Sequence, residues 1–538
     1  MLNVKNIIIV GGGSAGWMSA AFLIKTFPNM GITVIESPDH PTVGVGESTF
    51  VSIAQFRDYL GIKDEDFMPA CDASYKMSVK FTDFYDVNSG AFHYPFRTPD
   101  VAGTQNGLAD WLEIKAFYPD LDVNDFVRSY FPSAALYENN KFTDLHQGEF
   151  GNWNKQTDVA YHFDATKFGL YLKNNYCLPR GVKLLSTTVK HVSSDDTGIT
   201  GLTLTNDDII TADLYIDCTG FKSMLLSGEL KEPFTPYSDI LLNDNAWAVR
   251  IPYIDKEREL EPFTNSTALG NGWAWNIPSW SRIGSGYVYS SKFVNKEDAL
   301  EEFKNYLCSN KMIIPRTRKQ IDELEFQHIP MRIGLHKRTW VKNCVALGLA
   351  AGFIEPLEGN GLMSVMVFVQ YLAKSLLKGK VTKLDIDTYN SVTSSLFKDL
   401  AEFIAMHYAF SVRDDTPYWK AISEMTFSAD LGCGDAYPFA KAAPASFGAT
   451  FLDFQFRKML SRLTPPENGV TYISVGMNQT VFNRVDQQHA INGRDIKSYI
   501  DNLVNRFNIK KEAWNKAAKN KPTLYEYLKK NIYKSNHT

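Results

Sequence analysis

The stretch NIIIVGGGSAGWMSAAFLIK, residues 6–25, decides the fold of the 538-residue chain. Its first five residues, Asn6–Val10, form an apolar run of the kind found in buried parallel strands. The glycine-rich segment Gly11–Gly16 follows at once and leads into a predicted helix. A second apolar strand, Ile32–Ile35, ends at Glu36. This order of strand, GxGxxG turn, helix, strand and acid is typical of an α/β unit that binds a dinucleotide.

Each marked position of this unit has a physical task. Gly11 permits the tight turn, Gly13 lets the backbone approach a pyrophosphate, and Gly16 lets the helix pack close to the strand. Glu36 follows Gly16 by about 20 residues and is placed to accept a hydrogen bond from a ribose hydroxyl. A glycine-rich turn without a ligand is the alternative. The predicted cofactor residues of the unit are Gly11, Gly13, Ser14, Ala15, Gly16 and Glu36.

Two later segments predict how the unit is completed. Asp213–Phe221 (DLYIDCTGF) is an apolar strand that ends at Asp217, and it resembles the later flavin-site motif of FAD-dependent monooxygenases. Asn343–Gly348 (NCVALG) is another buried strand that enters a glycine turn. Three glycine-marked strand ends predict one FAD domain with insertions, so Asp217 and Gly348 join the cofactor residues. An ordinary core strand is the alternative for either later segment alone.

Composition narrows the classes of function. Lys and Arg number 56 and Asp and Glu 60, and the net charge of −4 argues against general nucleic-acid binding. The six cysteines form no CxxC pair, which fits a reducing compartment better than a disulfide scaffold or a zinc site. No leader-like segment opens the chain, and no apolar stretch is long enough to span a bilayer. We expect a cytoplasmic protein without a metal or a membrane partner. The sequence leaves open whether the protein forms a homo-oligomer.

Ordered motifs resemble those of one enzyme family. GWAWNIP, Gly272–Pro278, contains WxWxIP, the signature of flavin-dependent halogenases of the tryptophan-halogenase type. The segments GGGSAGWM, GVGEST, ASYKMSVKF, YHFDA, DLYIDCTGF, GSGYVYSS, EPLEGNG and RDDTPYW also resemble family segments and keep the family's order. The chain is therefore identified as resembling this family over about residues 5–420. The resemblance adds Gly46 and Glu47 of GVGEST to the cofactor residues.

The resemblance also implies the architecture. We expect an α/β fold with an FAD-binding Rossmann-type domain, three-layered and monooxygenase-like, with an inserted β-sheet substrate region and a mainly helical C-terminal part. The core is expected to cover residues 1–430 and the C-terminal part residues 431–538. Within the latter, Ser461–Gly493 is polar and predicts a loop, whereas Arg494–Tyr533 is amphipathic and predicts a pair of surface helices.

A reaction follows from the same resemblance. In this reaction, hypohalous acid forms from a halide ion, O2 and reduced FAD that a separate flavin reductase supplies. The acid passes through a tunnel to a lysine. The lysine then delivers electrophilic halogen to an electron-rich carbon. The family's lysine falls on Lys76, in the alternating segment SYKMSVKF, residues 74–81. Alternation places Lys76 and Lys80 on one face of a strand, and the pattern alone favours two solvated lysines. Lys80 is also a candidate for the neighbouring charge that lowers the pKa of Lys76.

The glutamate-containing motif supplies the next site residues. Glu358 matches the family acid that acts on the reaction intermediate. The alternative is that Glu358 has only a structural role, as an acid favoured by the helix dipole at the start of the helix predicted from Leu362. The backbone amides of Asn360 and Gly361 are expected to bind the halide. The commonest family pattern has a serine and a threonine where this chain has Gly359 and Asn360. We therefore expect bromide or iodide to be accepted at least as well as chloride.

Aromatic residues are expected around the substrate and the flavin. His93 and Phe96 resemble the histidine and the aromatic residue that enclose the family's substrate, and a core histidine is the alternative for His93. Trp273 and Trp275 are two positions apart on a predicted strand, so both indoles share a face, which the resemblance places near the flavin. From about Asp430 the chain lacks the residues with which tryptophan halogenases bind free tryptophan. We therefore expect the substrate to be an indole, a phenol or another electron-rich aromatic. An FAD aromatic hydroxylase and a non-catalytic flavin-binding protein are the alternative functions.

Overall fold

The computed structural model divides the chain into two compact units. It describes residues 2–38, 47–96, 111, 114–115, 117–145, 148–424, 469–478 and 496–534. Unit 1 consists of Met1–Ser74, Tyr161–Ala246 and His328–Ala401, and unit 2 of Tyr75–Ala160, Trp247–Gln327 and Glu402–Thr538. Gly46 and the boundary expected between residues 430 and 431 lie outside the described residues.

Strands and helices are interleaved along the chain. The strands are β1 (Asn6–Val10), β2 (Gly31–Glu36), β3 (Glu47–Ser48), β4 (Ser74–Lys76), β5 (Ser78–Thr82), β6 (Ala91–Pro95), β7 (Ala160–Phe163), β8 (Lys183–Ser186), β9 (Val189–Asp195), β10 (Gly198–Leu204), β11 (Ile209–Ile210), β12 (Leu214–Asp217), β13 (Phe234–Pro236), β14 (Asn245–Ile251), β15 (Phe263–Leu269), β16 (Gly272–Pro278), β17 (Ile283–Tyr289), β18 (Gln327–Pro330), β19 (Gly334–His336), β20 (Trp340–Val341), β21 (Cys344–Ala346) and β22 (Gly352–Phe353). The helices are α1 (Ser14–Thr26), α2 (Ser52–Leu60), α3 (Asp64–Cys71), α4 (Asn124–Tyr130), α5 (Pro132–Tyr137), α6 (Lys155–Asp158), α7 (Ala165–Tyr171), α8 (Lys256–Glu259), α9 (Lys296–Leu307), α10 (Arg318–Asp322), α11 (Asn360–Leu376), α12 (Lys383–Ala409), α13 (Pro417–Glu424), α14 (Gly469–Gly476), α15 (Ile496–Lys519) and α16 (Leu524–Asn531).

Unit 1 is built on a sheet with the strand order β20-β21-β12-β1-β2-β8. Strands β8, β2, β1, β12 and β21 pair in parallel, and β20 pairs antiparallel with β21 at one edge. Helix α1 packs against α11 and α7. The three strands whose ends the sequence marks with glycine, β1, β12 and β21, are therefore neighbours. The Rossmann-type α/β fold predicted from the sequence is confirmed.

Local chemistry explains the central elements of this sheet. All four residues of β12 are buried, as are the last four of β1, and the two strands are apolar except for Asn6 at the start of β1 and Asp217 at the end of β12. Helix α1 ends at Thr26, two residues before Pro28, which cannot continue a helix. The carboxyl ends of the parallel strands therefore face the first turn of α1, which is the usual ligand edge of such a sheet.

Unit 2 is built on a sheet in which β14, β17, β16, β15, β5 and β6 are neighbours in that order. Strand β15 pairs in parallel with β5, whereas β15–β16, β16–β17 and β5–β6 are antiparallel pairs. Tyr287 and Tyr289 of β17 pack in an apolar cluster with Phe303 and Leu307 of α9 and Ile321 of α10. This sheet is the β-sheet insertion that the resemblance implied.

The C-terminal part is helical where the structure describes it, as predicted. Helices α15 and α16 form the expected pair, and Ile500 and Leu503 of α15 pack on Ile114. The loop predicted over Ser461–Gly493 is wrong in part, because helix α14 lies within it. The physical reason is burial: Tyr472 and Ile473 are buried, and a Cβ on Gly476 would lie 2.1 Å from the Phe92 ring.

No helix in the described part of the chain is both long and apolar enough to cross a membrane.

The buried ion pair between Arg316 and Glu259 is expected to stabilise unit 2. Their side chains are 3% and 1% exposed, and Glu259 also accepts hydrogen bonds from the N–H groups of Ile254 and Asp255 at 2.8 and 3.0 Å. Arg316→Gln leaves a buried carboxylate without its charge partner. We expect the free energy of unfolding, measured by urea denaturation, to fall by about 3–5 kcal/mol.

Arg318→Gln is the matched control. Arg318 carries the same group two residues further on, but it pairs with Glu301 and Asp322 at the surface. Exposed ion pairs contribute little because water screens them. An equal loss of stability in the two variants would contradict the importance assigned to the buried pair.

Candidate active site

The first turn of α1 offers backbone donors to a ligand. Gly13 is the N-cap residue of α1, and no side chain caps the helix there. The hydroxyl of the next residue, Ser14, donates a hydrogen bond to the Ala165 carbonyl at 2.8 Å. The first N–H groups of a helix have no partner within the helix. They lie at the positive end of the helix dipole, which suits the pyrophosphate of a dinucleotide.

Steric constraints around this turn require glycine. An added Cβ would lie 2.2 Å from the Cys218 carbonyl oxygen at Gly11, and 2.0 Å from the Gly11 carbonyl oxygen at Gly16. At Gly348, which has a φ of +62°, it would lie 2.8 Å from the Cβ of Ala15. The ends of β1, β12 and β21 thus approach the first turn of α1 closely. This arrangement fits a dinucleotide cofactor.

The carboxylate of Asp217 organises the loop that follows β12. One oxygen accepts from the N–H and the hydroxyl of Thr219, at 3.0 and 2.7 Å. The other accepts from the N–H groups of Leu225 and Leu226, at 2.7 and 2.9 Å. A carboxylate offers about four acceptor positions, so this one is filled by the protein. The role of Asp217 toward a cofactor stays a prediction, and a Cβ on Gly220 in the same loop would meet nothing within 4 Å.

Glu36 lies at the end of β2, where the sequence predicted the ribose acceptor. Its carboxylate is 2.8 Å from Nζ of Lys173, and that ammonium group lies 5.8 Å from the centroid of the Trp17 ring. Sequence reasoning missed Lys173, which is separated from Glu36 by 137 residues and is marked by no local pattern. Glu47 lies in β3, paired with Phe163, and its side chain is outside the described part.

Glu358 lies in a turn that leads directly into α11. It is 1% exposed and closes the 3₁₀ turn Pro356–Glu358. Gly359 follows with a φ of +65°, and a Cβ there would lie 2.4 Å from the Ser48 carbonyl oxygen. Both the left-handed backbone and this close approach exclude a larger residue. The absence of the family's serine at this position thus has a steric reason.

The predicted halide residues are the first two of α11. Asn360 is buried, and its amide Nδ2 donates to the Glu355 carbonyl at 3.4 Å. Glu355 is held in turn by Asn243, whose Nδ2 donates to its carboxylate at 2.7 Å. A Cβ on Gly361 would meet nothing within 4 Å, so open space adjoins the start of the helix. The role of Asn360 and Gly361 in binding a halide stays a prediction.

Lys76 is completely buried in unit 2. It is 0% exposed, so the solvated lysine that the pattern alone favoured is wrong. Its Nζ lies 5.0 Å from the centroid of the Phe96 ring, within the range of a cation–π contact. The ring centroids of Phe96 and Tyr94 are 6.3 Å apart. The structure therefore brings together two of the predicted site residues, Lys76 and Phe96.

The strand predicted through Lys76 and Lys80 is interrupted at Met77. The N–H of Met77 donates to the Pro262 carbonyl at 2.7 Å, and its carbonyl accepts from the Phe96 N–H at 3.3 Å. Nζ of Lys80 lies 5.5 Å from the centroid of the Phe263 ring. The two lysines therefore contact different rings.

His93 is packed as a neutral core residue. Its ring stacks on Tyr137 with centroids 4.5 Å apart and an interplanar angle of 22°, and its Nδ1 lies 3.0 Å from the Ser78 hydroxyl. Burial, together with the charges of Lys80 and Arg128, holds the pKa of His93 well below its ordinary value. Tyr137 covers one face of the imidazole, and the Phe263 ring packs at 87° to it with centroids 5.0 Å apart, so the role of His93 in enclosing a substrate stays a prediction.

Trp273 and Trp275 share one face of β16, as alternation predicts. Their ring centroids are 6.0 Å apart, and Trp275 fits against Gly286, where a Cβ would lie 2.1 Å from the indole. Both indoles are buried, and neither N–H has a hydrogen-bond partner among the residues that the structure describes. The place of these rings near a flavin stays a prediction.

Comparisons with known proteins identify the family. The family model for tryptophan halogenase matches residues 6–433. Tryptophan 6-halogenase ThaL of Streptomyces albogriseolus is 35% identical over 438 residues, which cover 78% of this chain and 79% of that protein. The apo structure of VirX1 is similar with a TM-score of 0.88, 35% identity and 99% coverage of both chains. The crystal structure of the tryptophan 6-halogenase SttH from Streptomyces toxytricini is similar with a TM-score of 0.79, 30% identity and coverage of 97% of this chain and 99% of that one. The chain therefore belongs to the tryptophan halogenase family, whose members are flavin-dependent halogenases.

Proposed function

We propose that this flavin-dependent halogenase transfers electrophilic halogen by way of Lys76 to an electron-rich aromatic, such as an indole or a phenol. The observation that carries the proposal is the complete burial of Lys76 beside Phe96. Removing an ammonium group from water has a large free-energy cost, and buried ionisable groups concentrate at functional sites for that reason. Catalysis accounts for a lysine in this environment, whereas a solvated strand face does not.

Reduced FAD from a separate flavin reductase, together with O2 and a halide ion, supplies hypohalous acid. The N–H groups at the first turn of α1 would hold the pyrophosphate, and Glu36 would accept from the ribose. The loop shaped by Asp217 and the turn at Gly348 complete the cofactor residues of unit 1.

The protein's own groups then bind, orient and move protons. The amides of Asn360 and Gly361 bind the halide at the positive end of α11 without a charged side chain. The Lys76 ammonium donates a hydrogen bond to the oxygen of the acid and so weakens its bond to the halogen. The ring carbon supplies the electron pair for the new carbon–halogen bond, the halogen–oxygen bond breaks, and the departing hydroxide takes a proton from the Lys76 ammonium and leaves as water. The carboxylate of Glu358 accepts the proton that the ring carbon loses.

Replacement of Lys76 tests this role. We expect Lys76→Ala to lose halogenation by about 100-fold or more, because the group that positions and polarises the halogen is removed. The protein is assayed with a flavin reductase, FAD, each halide and a panel of indoles and phenols, and products are identified by mass spectrometry. Lys80→Ala is the matched control, since Lys80 is partly exposed and contacts Phe263 instead of Phe96.

The product masses separate the alternatives. A halogen mass from the wild type, lost in the Lys76 variant and kept in the Lys80 variant, supports the proposal. An oxygen mass would instead indicate an aromatic hydroxylase. Halogenation of equal rate in the Lys76 variant would remove that residue from the mechanism, and a wild type inactive with every compound and halide would favour a non-catalytic flavin-binding protein.

We further propose that bromide or iodide is accepted at least as well as chloride. The support is the open space beside Gly361 and a site made of amides, which bind anions of different radius. Gly361→Ala places a methyl group in that space, and we expect its KM to rise more for iodide than for chloride, because iodide is larger. Product ratios from equimolar halides measure the preference.

An unchanged melting temperature confirms that Gly361→Ala leaves α11 intact. Alanine is well tolerated in the first turn of a helix, so loss of the fold is not expected. Strict chloride preference in the wild type, or an equal rise of KM for the two halides, would contradict the proposed size tolerance.

A further inference from the structure

Lys76 lies just outside the large sheet of unit 2. It ends β4, which pairs in a separate sheet of three short strands, and the large sheet begins only with β5, after the interruption at Met77. Met77 fixes the backbone on that side, because its N–H donates to the Pro262 carbonyl at 2.7 Å and its carbonyl accepts from the Phe96 N–H at 3.3 Å. On the other side of Lys76, the neighbouring residue is Tyr75. The position of Lys76 therefore depends on how firmly Tyr75 is held.

Tyr75 packs in a cluster of aromatic rings. It is completely buried and stacks on Phe142, with ring centroids 4.6 Å apart and an interplanar angle of 3°. Tyr527 of α16 packs against both rings, with its centroid 6.2 Å from that of Tyr75 and 4.7 Å from that of Phe142. Nζ of Lys155 lies 5.3 Å from the Tyr75 centroid and 3.3 Å from its hydroxyl oxygen. Ring contacts of this kind have preferred geometries, so the cluster holds the Tyr75 side chain in one position.

Helix α16 is itself firmly attached to this part of unit 2. A capping box at Thr523 fixes where the helix begins. The Phe142 N–H donates to the Pro522 carbonyl at 3.0 Å, which ties the chain before α16 to the ring that stacks on Tyr75. The Tyr527 hydroxyl donates to the Asp144 carboxylate at 3.1 Å. The helix therefore reaches the residue next to Lys76 through contacts that are fixed at both ends.

Halogen transfer requires an exact position of the Lys76 ammonium group. A hydrogen-bonding group acts on a reacting atom only within about 2.6–3.2 Å, and a displacement of about 1 Å can lower the rate about 100-fold. A lysine side chain is a long, flexible stem, so its end is placed exactly only when the backbone beneath it is fixed. Hypohalous acid forms before it meets the lysine. A displaced Lys76 would therefore slow the transfer of halogen without slowing the formation of the acid.

We propose that Tyr527 of α16 is a positioning residue for Lys76, acting through the stacked rings of Phe142 and Tyr75. These rings hold the backbone on the side of Lys76 that Met77 does not fix. The proposal rests on the proposed function in taking Lys76 as the group that transfers halogen. It assigns a task in the reaction to a helix that lies beyond the motif-bearing segment of about residues 5–420.

The fate of the oxidised halogen tests the proposal. The full-length protein is assayed with a flavin reductase, FAD, bromide and the aromatic substrate, with monochlorodimedone as a trap for free hypobromous acid. We expect Tyr527→Ala to lower kcat for the brominated product about tenfold, with the KM of the aromatic unchanged, because the displaced lysine transfers less halogen. The trapped acid rises by the amount that the product loses. The sum of product and trapped acid therefore stays at the wild-type value.

Two further variants separate the ring contacts from the hydrogen bond. Tyr527→Phe keeps the ring but loses the bond to Asp144, so we expect it to restore the product to nearly the wild-type amount. Phe142→Leu keeps an apolar side chain but removes the stacking on Tyr75, so we expect the same shift from product to trapped acid. Phe142→Leu also carries the test if Tyr527→Ala fails to fold, because it removes less packed volume.

Tyr525→Ala is the matched control. Tyr525 lies on the same helix, and its ring stacks on Trp280 with centroids 5.7 Å apart and an interplanar angle of 12°. Its other ring contacts in the described part of the chain are with the ammonium groups of Lys256 and Lys529. The variant removes an aromatic contact of α16 that does not lead to Lys76. We therefore expect its division of halogen between product and trapped acid to be that of the wild type.

A double variant shows whether the effect passes through the lysine. Lys76→Ala has no ammonium group left to displace, so we expect the addition of Tyr527→Ala to lower its residual product by less than about twofold. An unchanged division of halogen in Tyr527→Ala and Phe142→Leu, or an equal change in Tyr525→Ala, would overturn the positioning role. A fall in the sum of product and trapped acid would also overturn it, because it would show only a damaged fold. Wild-type product from Lys76→Ala would instead overturn the proposed function itself, so the two failures are distinguishable.

Discussion

The close approach of three parallel strand ends to the first turn of α1 is the constraint on which the cofactor side of unit 1 depends. Gly11 and Gly16 leave no room for a Cβ, and Gly348 packs against Ala15 with a left-handed backbone. The contacts place the free amides of the helix at the carboxyl edge of the sheet. Asp217 holds the next loop in place with four hydrogen bonds from the protein itself.

Buried polar groups divide into two classes in this protein: those that find partners within the chain and those without a partner among the described residues. Glu259 and Asp217 find their donors within the chain, so they stabilise the fold. The indole N–H groups of Trp273 and Trp275 have no acceptor among the described residues. Buried donors are rarely left unsatisfied in native proteins, so the second class is the one that contributes least to stability.

Two glycines follow Glu358 with different physical origins, and only Gly359 belongs to the departure from the family's commonest motif. Gly359 is imposed by the backbone, because its left-handed φ and its contact with the Ser48 carbonyl exclude a side chain. Gly361 is not constrained in this way, and the space above it is open. One glycine therefore shapes the turn, whereas the other leaves volume beside the helix start, where the halide is proposed to bind.

The sequence by itself determined the Rossmann-type core, the family and the choice of Lys76. These depend on short-range signals: glycines at fixed spacing in one turn, strands with an apolar run, and motifs of a few residues in a fixed order. Only the tertiary structure decided the surroundings of those residues. Lys76 is buried although its segment alternates like a half-solvated strand, and Glu36 pairs with Lys173, 137 residues away. Neither feature could be predicted from the sequence, because solvation and partners are set by residues that are distant in sequence and meet only in the fold.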